Sequence, residues 1–339
     1  MRFKPVVAVT IGDPVGIGPE IVVKALSRRN IYRQCHPLAV GDLAPLEKAI
    51  ALVGLDLKLR ACPSVKNFRS HYGIIDVVIV HPRGPGKLPM SQVSAAAGQV
   101  SLDYLGKAVE LAEAGLVHGI AAAPQNKQAM MLAPGYTTVN PFVLDIMAMS
   151  EQRKRMVQLG NLRIIGVTGH VPLRQVPDMI TKASVLETIE LAHEALREMG
   201  IAAPRIGVSA LNPHAGEGGL VGREDVDEIA PAVESARQKG IDVQGPIPGD
   251  TIFPRAKAGE FDVAVAMYHD LTTGPPKLLR FGQGVTMSLG LPFPAAITLH
   301  GTAFDIAWQG GRANPQSMVD VIEVVAHMAS VKQTCLAAG

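Results

Sequence analysis

The chain has 339 residues, of which 47% are hydrophobic and 18% are charged. This much apolar sequence excludes an intrinsically disordered chain, and the length suits two domains of ordinary size. Lys and Arg (32) nearly balance Asp and Glu (30), and the net charge of +2 argues against a surface built for nucleic acid or for an anionic membrane. We therefore expect a globular protein that acts on small molecules.

Short, uniformly apolar runs alternate along the chain with longer amphipathic stretches. The runs predict β-strands at residues 6–10, 75–80, 119–123, 163–168, 205–211, 262–268, 285–289 and 296–299. The stretches predict helices at residues 94–114, 183–199, 224–239 and 315–331. Because strands that are apolar at every position are buried on both faces, the alternation predicts an α/β fold with mostly parallel sheets.

The sequence carries no sign of export or of membrane insertion. No apolar run reaches the ~18 residues that a membrane helix needs, and residues 1–5 have no signal-peptide pattern. Cys35, Cys62 and Cys335 are odd in number and widely spaced, which favours reduced thiols over a disulfide framework. These features predict a cytoplasmic protein without membrane contact.

Three of the ten histidines occupy the same kind of position. His170, His214 and His269 each follow a predicted buried strand, at separations of 44 and 55 residues. Open α/β sheets place ligand sites beyond the carboxyl ends of their strands, so the three residues are able to converge at one sheet edge. Neutral imidazoles are ligands for Zn²⁺ or Co²⁺. Spacing alone leaves two alternatives equally open, a three-histidine metal site and three independently hydrogen-bonded loop histidines.

Two glycine-rich loops and one further segment are also candidate site features. Residues 12–20 join a strand to a helix, with Pro19 suited to the first helical turn, but they match neither GxGxxG nor GxxxxGK[ST]. A ligand-binding loop and a purely structural turn are equally compatible with them. Residues 212–219 place three glycines around a His–Glu pair and are either a shaped site or a surface turn. The small residues of segment 300–305 suit a nucleotide's ring and ribose.

The chain resembles the 4-hydroxythreonine-4-phosphate dehydrogenase family over nearly its whole length. The matching segments are residues 12–20, 211–219, 266–270 and 300–303, which read GDPVGIGPE, LNPHAGEGG, AMYHD and HGTA. The resemblance implies a fold similar to isocitrate and isopropylmalate dehydrogenases, with two α/β domains, mostly parallel sheets and an active-site cleft between the domains. We place the first domain at residues 1–130 plus 296–339, and the second, with the metal ligands, at 131–295.

The resemblance implies a dehydrogenase that uses NAD or NADP, oxidises a secondary alcohol and then releases CO₂ from the β-keto acid. It implies a homodimer in which one subunit supplies two metal ligands and its partner the third, around one divalent ion (Zn, Co, Mg or Mn). The implied site residues are His170, His214 and His269 as metal ligands; Asp250, Asp270 and Lys277 in catalysis; Tyr136, Thr137, Lys277 and Thr286 at the substrate; and Gly290, His300, Gly301, Thr302 and Asp305 at the cofactor.

Several positions depart from the family's pattern, among them Leu299 and Trp308, and three of the departures concern the substrate. Tyr136, Thr286 and Ala295 stand where the phosphothreonine enzymes carry the His, Asn and Arg that hold the substrate. Because each charge-assisted hydrogen bond is worth ~1.5–3 kcal/mol, we expect a non-phosphorylated substrate. The related terephthalate cis-dihydrodiol dehydrogenases also carry Tyr in place of the His, which makes a cis-dihydrodiol carboxylate the leading candidate. The alternatives are 4-hydroxythreonine-4-phosphate dehydrogenase activity in pyridoxal phosphate synthesis, and a metal- and nucleotide-binding homologue without turnover.

Overall fold

The computed structural model describes residues 3–65, 68–150, 153–280 and 282–338, with side chains described as far as residue 334. The chain divides into two compact units, unit 1 (Met1–Ser150 with Leu291–Gly339) and unit 2 (Glu151–Gly290). The sequence had placed residues 131–150 in the second domain. They belong to unit 1 because Val143 and Ile146 pack into the same apolar cluster as Leu105 of that unit.

The described residues form twelve β-strands, which are β1 (Val6–Thr10), β2 (His36–Gly41), β3 (Lys58–Ala61), β4 (Ile74–Ile79), β5 (Gly119–Ala122), β6 (Arg155–Leu159), β7 (Leu162–Gly166), β8 (Arg205–Ser209), β9 (Asp242–Ile247), β10 (Val263–Ala266), β11 (Val285–Ser288) and β12 (Ala295–Thr298). All eight predicted strands are present, with ends that differ by at most two residues. The prediction missed β2, β3, β6 and β9.

The same residues form twelve α-helices, which are α1 (Gly18–Leu26), α2 (Arg29–Gln34), α3 (Leu43–Val53), α4 (Ala95–Glu113), α5 (Lys127–Met131), α6 (Pro141–Ile146), α7 (Val176–Met179), α8 (Lys182–Glu198), α9 (Ala230–Gln238), α10 (Gly249–Lys257), α11 (His269–Leu279) and α12 (Gln316–Ala338). The four predicted helices correspond to α4, α8, α9 and α12. A π-helical segment, Asp225–Ile229, precedes α9 and accounts for the start of the predicted stretch 224–239. None of the described helices is long and apolar enough to cross a membrane.

The sheet of unit 1 is parallel, in the order β3-β4-β2-β1-β5-β12. Val7, Ala8 and Val9 of the central β1 are completely buried, as expected for a parallel strand that is covered on both faces. Helix α4 packs against one face through residues such as Leu105. Cys35 and Cys62 are buried free thiols, and the side chain of Cys335 lies outside the described residues.

The sheet of unit 2 has the order β11-β6-β7-β10-β8-β9. The strands β7, β10, β8 and β9 are mutually parallel, whereas β6 is antiparallel to both β7 and β11. The antiparallel pair arises because β6 and β7 form a tight hairpin, in which Leu159 pairs with Leu162 and Gly160 adopts a φ of 57°. The predicted α/β class with mostly parallel strands is confirmed.

Candidate active site

Four parallel strands of unit 2 end at one edge of the sheet and lead into predicted site residues. Strands β7, β10, β8 and β9 are neighbours in that order, and His170, His269, His214 and Asp250 follow them within five residues. Because neighbouring parallel strands point in the same direction, their carboxyl ends lie at a common edge, where ligand sites form. We call this the histidine edge of unit 2.

His170 and His269 form a contact pair at the histidine edge. Their ring centroids are 4.8 Å apart, at an interplanar angle of 43°. His269 is the first residue of α11, and its Nδ1 lies 2.8 Å from Oδ1 of Asp270. Because a carboxylate only accepts hydrogen bonds, Nδ1 carries the proton and the Nε2 lone pair remains available to a metal.

His214 has the same arrangement with a different carboxylate. Its Nδ1 lies 2.7 Å from Oε1 of Glu217, which again leaves Nε2 as the free nitrogen. The hydrogen bond to Glu217, the charge of Glu217 and the charge of Asp250 raise the pKa of His214. Asp250 lies in the first turn of α10, a helix that contacts the loop of His214.

The loop that carries His214 has an unusual backbone. Three of its non-glycine residues, His214, Ala215 and Glu217, have φ values of 51°, 57° and 45°, in the left-handed region. Each such residue costs on the order of 1–3 kcal/mol, so the surrounding structure must hold the loop. The buried carboxylate of Asp225 does so, because it accepts hydrogen bonds from the backbone N–H groups of residues 211 and 212 and from the side chain of Asn212. The loop therefore has a defined backbone conformation that Asp225 holds in place.

The single chain does not assemble the three-histidine site. Among residues 3–65, 68–150, 153–280 and 282–338, no three His, Cys, Asp or Glu side chains are arranged to hold a metal ion. The structure pairs His170 with His269 and does not bring His214 into a three-ligand group with them. The donor chemistry fits a divalent ion, because imidazoles whose Nδ1–H is held by a carboxylate are typical zinc ligands.

The other predicted residues of unit 2 lie farther along their elements. Lys277 is exposed in the last turn of α11, eight residues and therefore ~12 Å of helix from His269. Thr286 is half-buried in β11, where it pairs with Val157 of β6. Gly290 follows β11, and its carbonyl oxygen accepts a hydrogen bond of 2.8 Å from Arg153.

The sequence analysis missed two basic residues beside the histidine edge. Lys154 donates a hydrogen bond to the carbonyl oxygen of Val167, three residues before His170, and Arg153 donates to Gly290. They reach this edge because β6 runs antiparallel to β7, so the residues before β6 lie next to the residues after β7. Two adjacent cations directly before a strand were the only signal in the sequence.

In unit 1, three loops interlock at the carboxyl ends of β1, β5 and β12, which we call the polar edge. Ile17 donates a backbone hydrogen bond of 3.0 Å to Thr302, and Asp13 donates one of 2.9 Å to Pro124. A Cβ on Gly16 would lie 2.9 Å from the Cβ of Thr302, and one on Gly12 would lie 2.4 Å from the oxygen of Pro124. Close packing thus explains these glycines of the 12–20 loop.

Several buried polar atoms of the polar edge have no hydrogen-bond partner among the described residues. They are Thr10 Oγ1, Asp13 Oδ2, both amide atoms of Gln125 and His300 Nε2. Burial raises the pKa of Asp13 to about 6, although a hydrogen bond from the backbone of Val15 lowers it. Because buried polar groups are nearly always paired, such a cluster at strand ends is typical of a ligand site. Its donors and acceptors fit the carboxamide and ribose of a nicotinamide nucleotide.

The other predicted cofactor and substrate residues of unit 1 differ in their exposure to solvent. Thr302 is buried, whereas Gly301 and Asp305 are exposed. Tyr136 and Thr137 lie in a short 3₁₀ helix, Tyr136–Thr138. Tyr136 packs against the apolar cluster of unit 1, and Thr137 is exposed.

A parallel α/β chain with imidazoles at one strand edge and unpaired polar groups at another has the features of a nucleotide-dependent dehydrogenase. Residues 33–325 match the sequence profile of the family described as pyridoxal phosphate biosynthetic protein PdxA. The chain belongs to this family. It is accordingly an enzyme, a dehydrogenase that acts on a CH–OH group with a nicotinamide cofactor, and decarboxylation is part of the family's reaction.

Three similar proteins illustrate the range of the family. A D-threonate 4-phosphate dehydrogenase of Cupriavidus necator is 41% identical over 97% of this chain and 98% of its own length. The crystal structure of a 4-hydroxythreonine-4-phosphate dehydrogenase from Klebsiella pneumoniae is 36% identical, with a TM-score of 0.84 over 97% of this chain and 99% of that one. A terephthalate 1,2-cis-dihydrodiol dehydrogenase structure from Burkholderia xenovorans is 31% identical, with a TM-score of 0.64 over 96% of this chain and 98% of that one.

Proposed function

We propose that the enzyme oxidises a 4-phosphorylated hydroxy acid, with D-threonate 4-phosphate as the first candidate and 4-hydroxythreonine 4-phosphate as the second. The observation that carries this proposal is the near full-length similarity, at 41% identity, to a D-threonate 4-phosphate dehydrogenase. The dihydrodiol enzyme is less similar in both sequence and structure. The comparisons therefore favour the phosphorylated alternative over the cis-dihydrodiol expected from Tyr136, Thr286 and Ala295.

In the proposed reaction, the substrate and the nicotinamide account for all the atoms and electrons that are transferred. Hydride leaves C3 of D-threonate 4-phosphate for the nicotinamide, and the C3 hydroxyl proton passes to a base. The product is a β-keto acid, which loses CO₂ and takes up a proton to give dihydroxyacetone phosphate. When bound, a divalent ion polarises the C3 oxygen and favours both steps.

We assign the protein's part in this reaction to two groups of residues in unit 2. His170, His214 and His269 hold the ion, and the Asp270 and Glu217 carboxylates keep the Nε2 atoms of two of these rings available. Asp250, close to His214, is the candidate base.

A phosphate needs positive charge, and unit 2 offers three cations for it. Lys277 stands on α11, which begins at His269, and Arg153 with Lys154 lies beside the loop that leads to His170. We infer that these side chains supply the positive charge that the phosphate requires.

The proposed dimer is supported by exposed leucines near the three histidines. The residues Leu173, Leu220 and Leu278 are 67%, 86% and 88% exposed, and each lies within nine residues of a histidine ligand. Exposed large apolar side chains beside a site indicate a protein partner. We propose that a second copy covers them and supplies the third metal ligand. The buried free thiols of Cys35 and Cys62 support a cytoplasmic location.

The proposal is tested by steady-state kinetics of the purified protein with divalent metal and NAD⁺ or NADP⁺. D-threonate 4-phosphate should yield NADH or NADPH together with CO₂, while unphosphorylated D-threonate, as the matched control, should have a kcat/KM roughly 10–100-fold lower because it loses the phosphate contacts. 4-Hydroxythreonine 4-phosphate and the terephthalate dihydrodiol complete the set. Turnover of the dihydrodiol alone would overturn the proposal.

A further inference from the structure

A hydrogen-bonded relay of polar side chains in unit 1 runs from the core to the segment that contains Tyr136. Its members are Asp42, His81, Asp103 and Gln99. His81 lies between two carboxylates, with Nδ1 2.8 Å from Oδ2 of Asp42 and Nε2 3.0 Å from Oδ2 of Asp103. Asp42 is buried, and it also accepts hydrogen bonds from the backbone N–H of His81 and from the hydroxyl of Tyr104. The inner end of the relay, at Asp42, is thus firmly anchored.

The outer end of the relay, at Gln99, reaches Gly135. Oδ1 of Asp103 accepts a hydrogen bond of 2.8 Å from Nε2 of Gln99, and Oε1 of Gln99 accepts one of 2.8 Å from the backbone N–H of Gly135. A Cβ at position 135 would lie 2.8 Å from both amide atoms of Gln99, so only glycine allows this close approach. The next residues are Tyr136 and Thr137.

The side chains of this relay border open space. A cavity of 470 Å³ is lined by His81, Gln99, Asp103, Gly135 and Thr138, among others. Tyr136 and Val139 pack against the apolar cluster of unit 1, and on the cavity side the hydrogen bond that the Gly135 N–H donates to Gln99 helps to set the position of the segment. We propose that Asp42, His81, Asp103 and Gln99 are positioning residues that fix segment 135–138 for substrate binding. This inference rests on the proposed function together with the expectation, given by the family resemblance, that Tyr136 and Thr137 contact the substrate.

The relay depends on the charge of one imidazole. A protonated His81 donates to Asp42 and to Asp103, whereas a neutral ring donates to only one of them. Burial lowers the pKa of His81, but hydrogen bonds to the two carboxylates and their charges outweigh burial and raise it overall. The other ionisable groups that face this ring or line the cavity, all on α4, are Tyr104, Lys107 and Glu110. We expect the substrate KM to rise as the pH rises through this pKa.

The first test cuts the relay at Gln99. Gln99→Leu keeps the size of the side chain and removes both hydrogen bonds, and it should raise the substrate KM about tenfold while kcat and the KM for the nicotinamide change less than twofold. Its KM should also lose the pH dependence of the wild type. Lys107→Gln is the matched control, because Lys107 lies on the same helix, lines the same cavity and pairs only with the exposed Glu110. An unchanged KM in Gln99→Leu would overturn the inference, as would a fall in kcat alone.

A conservative variant separates positioning from folding. In Asp103→Asn the one amide oxygen accepts from Gln99, while the amide NH2 faces Nε2 of His81, which accepts only when the ring is neutral. The substrate KM should therefore be raised at low pH and approach the wild-type value at high pH, the reverse of the wild-type dependence. A KM that is raised equally at every pH contradicts the proposed relay.

Amide hydrogen exchange tests the relay without any substrate. The Gly135 amide should exchange about tenfold faster in Gln99→Leu than in the wild type, and at the wild-type rate in Lys107→Gln. If the wild type turns over no phosphorylated acid, the proposed function fails, yet accelerated exchange still supports the positioning of segment 135–138. Equal exchange rates in wild type and Gln99→Leu would refute the positioning itself.

Discussion

The two glycine-rich loops have similar compositions but meet different physical demands. Residues 12–18 are entirely buried, and the glycines there let the backbone approach Pro124 and Thr302. Residues 213–219 are mostly exposed, and their glycines share left-handed φ values with three non-glycine neighbours. In the first loop glycine provides space, and at Gly12 also a left-handed φ of 70°, whereas in the second it provides mainly a backbone conformation. Neither demand can be read from the glycine count.

The two loops are also held by different forces. The unit 1 loop is fixed by close packing together with backbone hydrogen bonds to Pro124 and Thr302, and unpaired polar atoms such as Asp13 Oδ2 lie at this edge. The unit 2 loop is fixed by one buried carboxylate, Asp225, which accepts three hydrogen bonds. Substitutions that disturb packing should therefore affect the unit 1 loop, and substitutions that remove the buried carboxylate should affect the unit 2 loop.

The largest effect is expected for His214→Ala. The substitution removes a proposed metal ligand, so both bound metal and dehydrogenase activity should be lost, and chelator treatment of the wild type should reproduce the loss. Metal analysis and NADH production measure the two outcomes. His71→Ala, at an exposed position of unit 1, is the control. Full activity in a metal-free His214→Ala protein would exclude this role.

Replacement of Asp225 should weaken the same loop through its support. Asp225→Ala leaves three donors without their acceptor, and we expect a loss of ~3 kcal/mol in the free energy of unfolding. Urea denaturation measures it. Asp227→Ala is a matched control, because Asp227 is an exposed partner of Arg223 in a surface ion pair, where the loss should stay below ~1 kcal/mol. Similar losses in both variants would mean that Asp225 is not the support.

The packing of the unit 1 loop is tested by one substitution at two sites. Gly16→Ala places a methyl group 2.9 Å from the Cβ of Thr302 and should cost ~1–3 kcal/mol of stability. Gly106→Ala, inside α4 with no atom within 4 Å of the new methyl, should instead stabilise the protein by ~0.5–1 kcal/mol. Thermal unfolding of both variants gives the signs. The same sign in both would contradict the close packing.

A further effect is a gain of stability in Asp13→Asn. Because burial raises the pKa of Asp13 to about 6, wild-type stability should fall as the pH rises from about 4 to about 6, where the buried carboxyl loses its proton. Asn removes this cost, so the variant should be roughly 3 kcal/mol more stable at pH 8 and equal to the wild type below about pH 4. A gain that is independent of pH would contradict this explanation. Lower activity in the stabilised variant would assign the carboxylate to the site.

The strands that the sequence analysis missed show which kind of strand is detected by uniform apolarity. Uniform apolarity selects strands that are buried on both faces, and β1, β5 and β10 satisfy it. The terminal strands β3 and β9 do not, because each has one neighbour only: β3 has no buried residue, and the first residues of β9 alternate between exposed and buried. The segment 131–150 was assigned to the wrong side of a boundary because its apolar residues do not reveal which core they join.

The sequence by itself determined the α/β class, the central strands and the histidine-bearing loops, because periodicity and turn residues act over a few neighbouring positions. Tertiary structure alone decided that His170 contacts His269, that Asp225 supports the His214 loop and that Gln99 holds Gly135. These contacts join residues that are 13 to 99 positions apart, and they arise only when the strands align. Local patterns specify the elements, whereas the alignment of strand ends specifies the site.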